Sequence, residues 1–339
     1  MANTRGLLLS NLGTPASTDV KDVRVFLKEF LSDPMVMDMN PVGRWMLLNL
    51  IILPFRPKRS AEAYSKIWTE EGSPILVHSR DFESKLSEHL GESWVVRLGM
   101  RYGEPKMEDA LRELVEAGVD EVVFLPLYPQ YALSSTETSI ARFKELAASL
   151  PGMPSYRVVE NFYDHEGFCS PSASLAEEHL NPQVDHVLFS FHGLPVHQVQ
   201  ATDPTGEHCG KSPDCCKALC EANQRCYGAQ SHVTAQRLAE KLGLEEGSWS
   251  VAFQSRLTKV PWLTPATDKR IIELAEQGTK HLAVMCPSFV ADNLETLEEI
   301  NMEAREDFLE AGGESFLFVP CLNARADWIE GVASIVQGS

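Results

Sequence analysis

Short apolar, β-branched runs alternate with helix-like stretches along the whole chain, and this rhythm limits its fold more than any other feature. The runs are 7–11, 94–98, 121–125, 157–160, 187–191, 250–253, 281–285 and 315–319. Runs of four to six residues suit strands, and the longer 3.6-periodic segments between them suit crossover helices. Strand, helix, strand predicts parallel sheets with helices on both faces. Eight runs in two sets of four predict two similar domains, 1–150 and 151–323, breaking near Leu150-Pro151-Gly152, with a last helix at 324–336 packing back on the first. At 339 residues and 44% hydrophobic the chain has apolar mass for two cores. It has no fixed-period repeat.

The formal net charge is -18 and the pI about 5.0. Such a surface repels phosphate backbones, which argues against nucleic-acid binding, and attracts cations. The longest apolar stretch, 45–55, is far short of the ~20 residues a spanning helix needs. The first residues lead into an apolar run ending in Gly13-Thr14-Pro15, without a signal-peptidase site, so a cytoplasmic protein is expected. Peripheral contact of the apolar 45–55 segment with a membrane stays open. The sequence does not set the oligomeric state.

In open α/β sheets ligands bind beyond the carboxyl ends of strands. There the fifth run reaches Phe191-His192-Gly193-Leu194-Pro195, a turn that holds an imidazole at the sheet rim. With an ordinary pKa near 6.5, His192 can accept a proton or bind a metal; the alternative is a histidine that satisfies local backbone groups. The seventh run leads to Asp292, Glu295, Glu298 and Glu299. On an α-helix Asp292, Glu295 and Glu299 share a face, forming a path for cations or protons, or else a solvated acidic helix start.

Five of the eight cysteines fall in an insertion at 203–228: Cys209, Cys215, Cys216, Cys220 and Cys226. In a reducing compartment such a group points to metal ligation, and four sulfurs suit a [2Fe-2S] cluster, the favoured reading, or zinc. Cys216 and Cys220 at i, i+4 are expected on one helical face. Which four ligate is not readable. The segment 45–74 joins an apolar patch to Arg56, Lys58 and Arg59, then Tyr64, Trp68 and Gly72-Ser73-Pro74. It reads either as a lip for a flat anionic ligand or as a buried helix followed by a basic turn.

The order of these motifs resembles the ferrochelatase family, in its protoporphyrin-using form from Gram-negative bacteria. The resemblance is carried by Asn11-Leu12-Gly13-Thr14-Pro15, Phe30-Leu31-Ser32-Asp33, 52–58, Gly72-Ser73-Pro74, Tyr128-Pro129-Gln130-Tyr131, 190–195, Trp262-Leu263 with Pro265, and 294–299. It implies the chelatase fold, two similar Rossmann-like domains that are each a four-stranded parallel sheet flanked by helices, with a porphyrin cleft between them. It implies insertion of Fe2+, as substrate, into protoporphyrin IX, the last step to haem. His192 and Glu295 then handle iron and protons, Asp292, Glu298 and Glu299 conduct them, and Arg56, Tyr64, Ser73 and Trp262 line the porphyrin site. The chain departs from some members in having Asn293 where they have histidine. It also departs from animal members, whose [2Fe-2S] ligands lie mainly in a C-terminal extension; the internal cysteines resemble those of a minority of bacterial members. Alternatives are a chelatase for coproporphyrin III or a cobalt-accepting macrocycle, and an iron-sulfur redox or sensor protein on the same scaffold.

Overall fold

The computed structural model describes residues 4–212, 214–256 and 260–338. All eight apolar runs are strands: β1 (Arg5–Thr14), β2 (Trp94–Gly103), β3 (Glu121–Pro126), β4 (Ser155–Val158), β5 (His186–His192), β6 (Trp249–Gln254), β7 (His281–Met285) and β8 (Ser315–Phe318). They form two four-stranded parallel sheets with the same internal order, β2-β1-β3-β4 and β6-β5-β7-β8. In each the first strand of its set lies inside the sheet, and β1 and β5 are correspondingly the most continuously apolar and buried. Strands covered on both faces lose the polar alternation of a half-exposed sheet.

The chain divides into two compact units. One holds 1–128, 133–161 and 323–339; the other holds 129–132 and 162–322. The crossing thus falls after β4, later than the break expected at 150–152, because β4 pairs with β3 from Glu121↔Ser155 to Phe124↔Val158. A Pro-Gly pair marks a turn before that strand, and a turn is not a domain boundary. The helix Ala326–Gln337 groups with the first unit, where Trp328 stacks on Phe82 with centroids 5.8 Å apart.

The first core is built on Leu8, Leu111, Leu114, Phe124 and Phe143, with the last two rings stacked at 4.4 Å. The second is built on Leu188, Ala252, Ile271, Val284, Phe308 and Phe316. Each large apolar side chain so buried contributes roughly 1.5–3 kcal/mol. Both cores fix their strands firmly enough for residues at the strand ends to keep set positions.

Candidate functional site

His192 ends β5, and three local contacts orient it. Its ring Nδ1 lies 2.7 Å from the Gly193 carbonyl; a carbonyl only accepts, so Nδ1 is assigned the proton, leaving Nε2 as the basic atom. The backbone N–H donates to Ser288 Oγ at 3.0 Å, and the Phe289 ring meets the imidazole edge-on at 6.2 Å. Gly193 is dictated by space: its N–H donates to the Gln254 carbonyl at 2.7 Å, and a Cβ would sit 2.6 Å from that oxygen and 3.4 Å from Trp262 Cε3. Gly193→Ala is therefore expected to cost about 1–3 kcal/mol through overpacking and to displace His192. The predicted outcome is a lower melting temperature with reduced turnover, and wild-type values for both would refute it.

The acidic segment does not form the α-helical face expected from its spacing. Glu295–Ala304 is wound as a π-helix with i→i+5 bonds, and Asp292 precedes it. Widened turns break the stripe that 3.6 residues per turn would make, so tertiary partners decide where each carboxylate points. Glu299 is held by Ser255, whose N–H and hydroxyl donate to its two oxygens at 2.7 and 2.5 Å. Ser255 adopts φ 65° to do so, a left-handed conformation uncommon outside glycine. Glu299 is the carboxylate whose charge acts on His192, and Glu295 in turn acts on Glu299. Asp292 is buried and accepts from Thr296 Oγ1 and the Cys321 N–H, each at 3.2 Å. Glu298 is buried in the π-helix.

Burial lowers the pKa of His192, opposed first by the charge of Glu299 and then by the Gly193 contact. Burial raises that of Glu299, opposed mainly by the two Ser255 hydrogen bonds. Desolvation disfavours both charged forms while their mutual attraction favours both together, so they titrate as a pair. A cation or proton arriving beside them is stabilised by a carboxylate otherwise costly to ionise.

The residues expected at the porphyrin site have varied surroundings. Trp262 packs on Gly193, beside His192, and pairs its backbone with Pro195. Tyr64 is buried, edge-on to Trp68 at 6.0 Å. Ser73 is buried at the start of helix Pro74–Leu90 and accepts from Thr14 Oγ1 at 2.8 Å, which suits a residue that shapes the backbone. Arg56 is half-buried on helix Leu53–Ile67, and Lys58 and Arg59 are exposed. The apolar segment before them is open to solvent: Val42, Trp45, Met46, Leu50, Ile51 and Phe55 are all exposed, Phe55 by 75%. Only Leu48 and Leu53 of this stretch are buried, so it is not the wholly buried helix that its composition equally allowed.

Four insertion cysteines approach one another pairwise. Cys215 and Cys216 Sγ lie 3.7 Å apart, close to the roughly 3.8 Å between two thiolates on one tetrahedral metal with 2.3 Å bonds. The neighbouring Cys216 thiol first, then the Ala229 N–H, Cys209 and the Gly228 N–H, draw the Cys226 pKa down to about 6 against the effect of burial. Cys226 is the N-cap of helix Tyr227–Lys241, where backbone N–H groups favour a thiolate. A Cβ on Gly228 would lie 3.0 Å from Cys216 Sγ, so glycine keeps that space for sulfur. Cys209 is presented by Asp203, whose carboxylate accepts from the N–H groups of Thr205, His208 and Cys209 and from the Thr205 hydroxyl, all at 2.7–2.9 Å. These sulfurs meet in pairs, and no group of three or more His, Cys, Asp or Glu among the described residues already surrounds one metal position.

Cys220 stands apart. It is exposed, with Sγ 3.6 Å from His208 Nε2. The helical face expected for Cys216 and Cys220 is absent, because the segment is a string of turns tied by buried Asn223. Its side chain donates to the carbonyls of Cys215 and Ala218 and accepts from the Cys220 N–H, satisfying groups a helix would have paired.

Sequence reasoning passed over Gln254 and Ser255. Gln254 Oε1 accepts from Ser190 at 2.7 Å, and its Nε2 lies 3.4 Å from the Glu295 carbonyl. A signal was present, since Gln254 and Ser255 sit at the carboxyl end of the sixth run, where ligand-facing residues belong.

With the geometry set out, comparison with known proteins adds identity. Over 98% of its length this chain is 43% identical to a protein named ferrochelatase from Pseudomonas entomophila (strain L48) and 45% identical to one from Bdellovibrio bacteriovorus, covering 98% of each. In the solved structures, SirB from Bacillus subtilis with Fe3+ aligns over 99% of this chain and 96% of its own at TM-score 0.55 and 9% identity. The cobalt complex of the sirohydrochlorin chelatase SirB from Bacillus subtilis subspecies spizizenii aligns over 98% and 93%, at TM-score 0.52 and 8% identity. These likenesses show the fold, that of the chelatases. The ferrochelatase family model matches residues 4–339, and with relatives this similar over the full length, the chain belongs to the ferrochelatase family.

Proposed function

We propose that this chain inserts ferrous iron into protoporphyrin IX, the step that completes haem. The observation that carries the reading is His192 at the end of β5, oriented through Gly193 and Ser288, in a ferrochelatase-family chain. Insertion exchanges two pyrrole protons for one Fe2+, and the flat ring must bend to expose its nitrogen lone pairs. Distortion of that kind draws ~1–5 kcal/mol from binding energy elsewhere on the ligand. Nε2 of His192 accepts a pyrrole proton, Glu299 stabilises the resulting imidazolium, and Glu295 next to Glu299 passes protons or iron along. Asp292 and Glu298 extend the acidic line, with Asp292 also bracing the start of the π-helix through Thr296. Trp262 supports the macrocycle near His192, and the family resemblance assigns Arg56, Tyr64 and Ser73 to porphyrin binding. The test mixes purified protein, Zn2+ or Fe2+ and porphyrin and follows metalloporphyrin fluorescence or absorbance. Turnover with protoporphyrin is expected, whereas turnover with coproporphyrin III alone would reassign the substrate.

The exposed apolar lip supports entry of an apolar porphyrin and a peripheral membrane contact, in a protein in which no described helix is long and apolar enough to cross a membrane. Phe55→Asp with Trp45→Ser is expected to abolish co-sedimentation with zwitterionic vesicles. Equal sedimentation of variant and wild type would remove the contact.

We infer a metal at the insertion, with Cys209, Cys215, Cys216 and Cys226 as ligands and Cys220 outside. We assign a [2Fe-2S] cluster, with zinc as the other outcome. Such a cluster crosslinks the loop through four thiolates and can carry one electron. A brown protein with charge-transfer absorption supports the cluster, and a colourless protein with one zinc replaces it.

A further inference from the structure

Ser255 combines a strained backbone with a double hydrogen bond to one carboxylate, and the two features explain each other. Among the described residues the non-glycine positions with positive φ are Ser255 at 65° and Asn323 at 50°. Asparagine enters that region readily, whereas serine does so far less often. A strained backbone persists only where its surroundings enforce it, and such positions cluster at functional sites. The residue before supplies the enforcement. Gln254 ends β6 and is 2% exposed. Its carbonyl accepts the Gly193 N–H at 2.7 Å, its Oε1 accepts from Ser190 Oγ at 2.7 Å, and its Nε2 donates to the Glu295 carbonyl at 3.4 Å. With Gln254 so fixed, the left-handed turn at Ser255 aims both its N–H and its hydroxyl at Glu299, at 2.7 and 2.5 Å. Two charge-assisted bonds, one to each oxygen, set the plane of the carboxylate as well as its place. Glycine would adopt this φ without strain and keep the N–H. What serine adds is the hydroxyl, and the hydroxyl goes to Glu299. Residues 254 and 255 thus join the turn that follows His192 to the π-helix that carries Glu295 and Glu299.

We propose that Ser255 is a positioning residue for metal insertion, whose hydroxyl holds the Glu299 carboxylate in its working orientation without itself touching substrate. This rests on the role given above to Glu299. It accounts for a serine at a position where glycine would be free of strain: stability is given up at the end of β6 for a second donor to one carboxylate. Gln254, Ser255 and the π-helix all lie in one unit of the fold.

The test compares Ser255→Ala, Ser255→Gly and Glu299→Gln in the full chain, by melting temperature and by steady-state insertion of Zn2+ into protoporphyrin IX. Alanine and glycine both lack the hydroxyl and keep the N–H, but only glycine relieves the backbone. Both are expected to lower kcat about tenfold or more, the worth of a hydrogen bond to a charged group, with the porphyrin KM unchanged. Ser255→Gly should nevertheless melt above Ser255→Ala. Adding Ser255→Gly to Glu299→Gln should slow that variant no further, because the hydroxyl acts through the carboxylate. Turnover that follows melting temperature from alanine to glycine would leave Ser255 a structural role only, and wild-type turnover in Ser255→Gly would show that the hydroxyl is not needed; either result overturns the proposal. A raised porphyrin KM at unchanged kcat overturns it too, since the hydroxyl would then be meeting the porphyrin itself. Wild-type turnover in Glu299→Gln would remove the role of Glu299 and this proposal with it, and no insertion by the unaltered protein would remove the reading of its function.

Discussion

Replacing His192 by alanine is expected to lower metal insertion by about 10²- to 10⁴-fold, the usual contribution of a positioned general base, while porphyrin binding, read from fluorescence quenching, changes little. The asymmetry follows from placement. The imidazole is aimed by Gly193 and Ser288 and offers Nε2 to a reacting proton, whereas porphyrin affinity comes from apolar area elsewhere. Near-wild-type turnover in His192→Ala would end the assignment. The pH profile carries a second check. Because burial lowers its pKa, His192 stays neutral below the ordinary imidazole value of about 6.5. Activity that needs the neutral base should then persist below that pH before falling. Glu299 opposes the shift by favouring imidazolium, so Glu299→Gln should move the acid limb to still lower pH as it slows turnover. A limb moving to higher pH would show that the carboxylate does not act on His192.

Cys226→Ala should remove the bound metal altogether. Cys226 is the sulfur on which both Cys216 and Cys209 act, so its loss takes away the central proposed ligand at the start of a helix of 15 residues. Bound metal, by absorbance or elemental analysis, should fall to background, the melting temperature should drop, and residues 203–226 should become sensitive to protease. Cys220→Ala should keep its metal in full, since that sulfur faces His208 and solvent. The reverse pattern, metal retained without Cys226 and lost without Cys220, would show that the ligand set has been misassigned.

The comparison of the two cysteine variants illustrates what spacing can and cannot say. Five cysteines in a short insertion raise the expectation of a metal centre, but which of them lie together needs the loop's path, which Asp203 and Asn223 fix by hydrogen bonds within it. Likewise Gly193 is legible as a turn after a strand, while the reason that only glycine fits is the Gln254 carbonyl on a neighbouring strand. The carboxylates went furthest astray. Spacing placed Asp292, Glu295 and Glu299 on one α-helical stripe, yet Glu295 and Glu299 lie on a π-helix that Asp292 precedes, and Ser255, in a left-handed conformation, holds Glu299.

By itself the sequence determined the eight strands, their division into two parallel sheets and the placing of His192 at a strand end. Those depend on apolar periodicity, a local property repeated often enough to be redundant. Only the tertiary structure decided that Ser255 holds Glu299, that the Gln254 carbonyl crowds Gly193, and that Cys220 faces His208. Each of these is a contact between residues separated in the chain, where one changed partner alters the outcome and no periodicity records it.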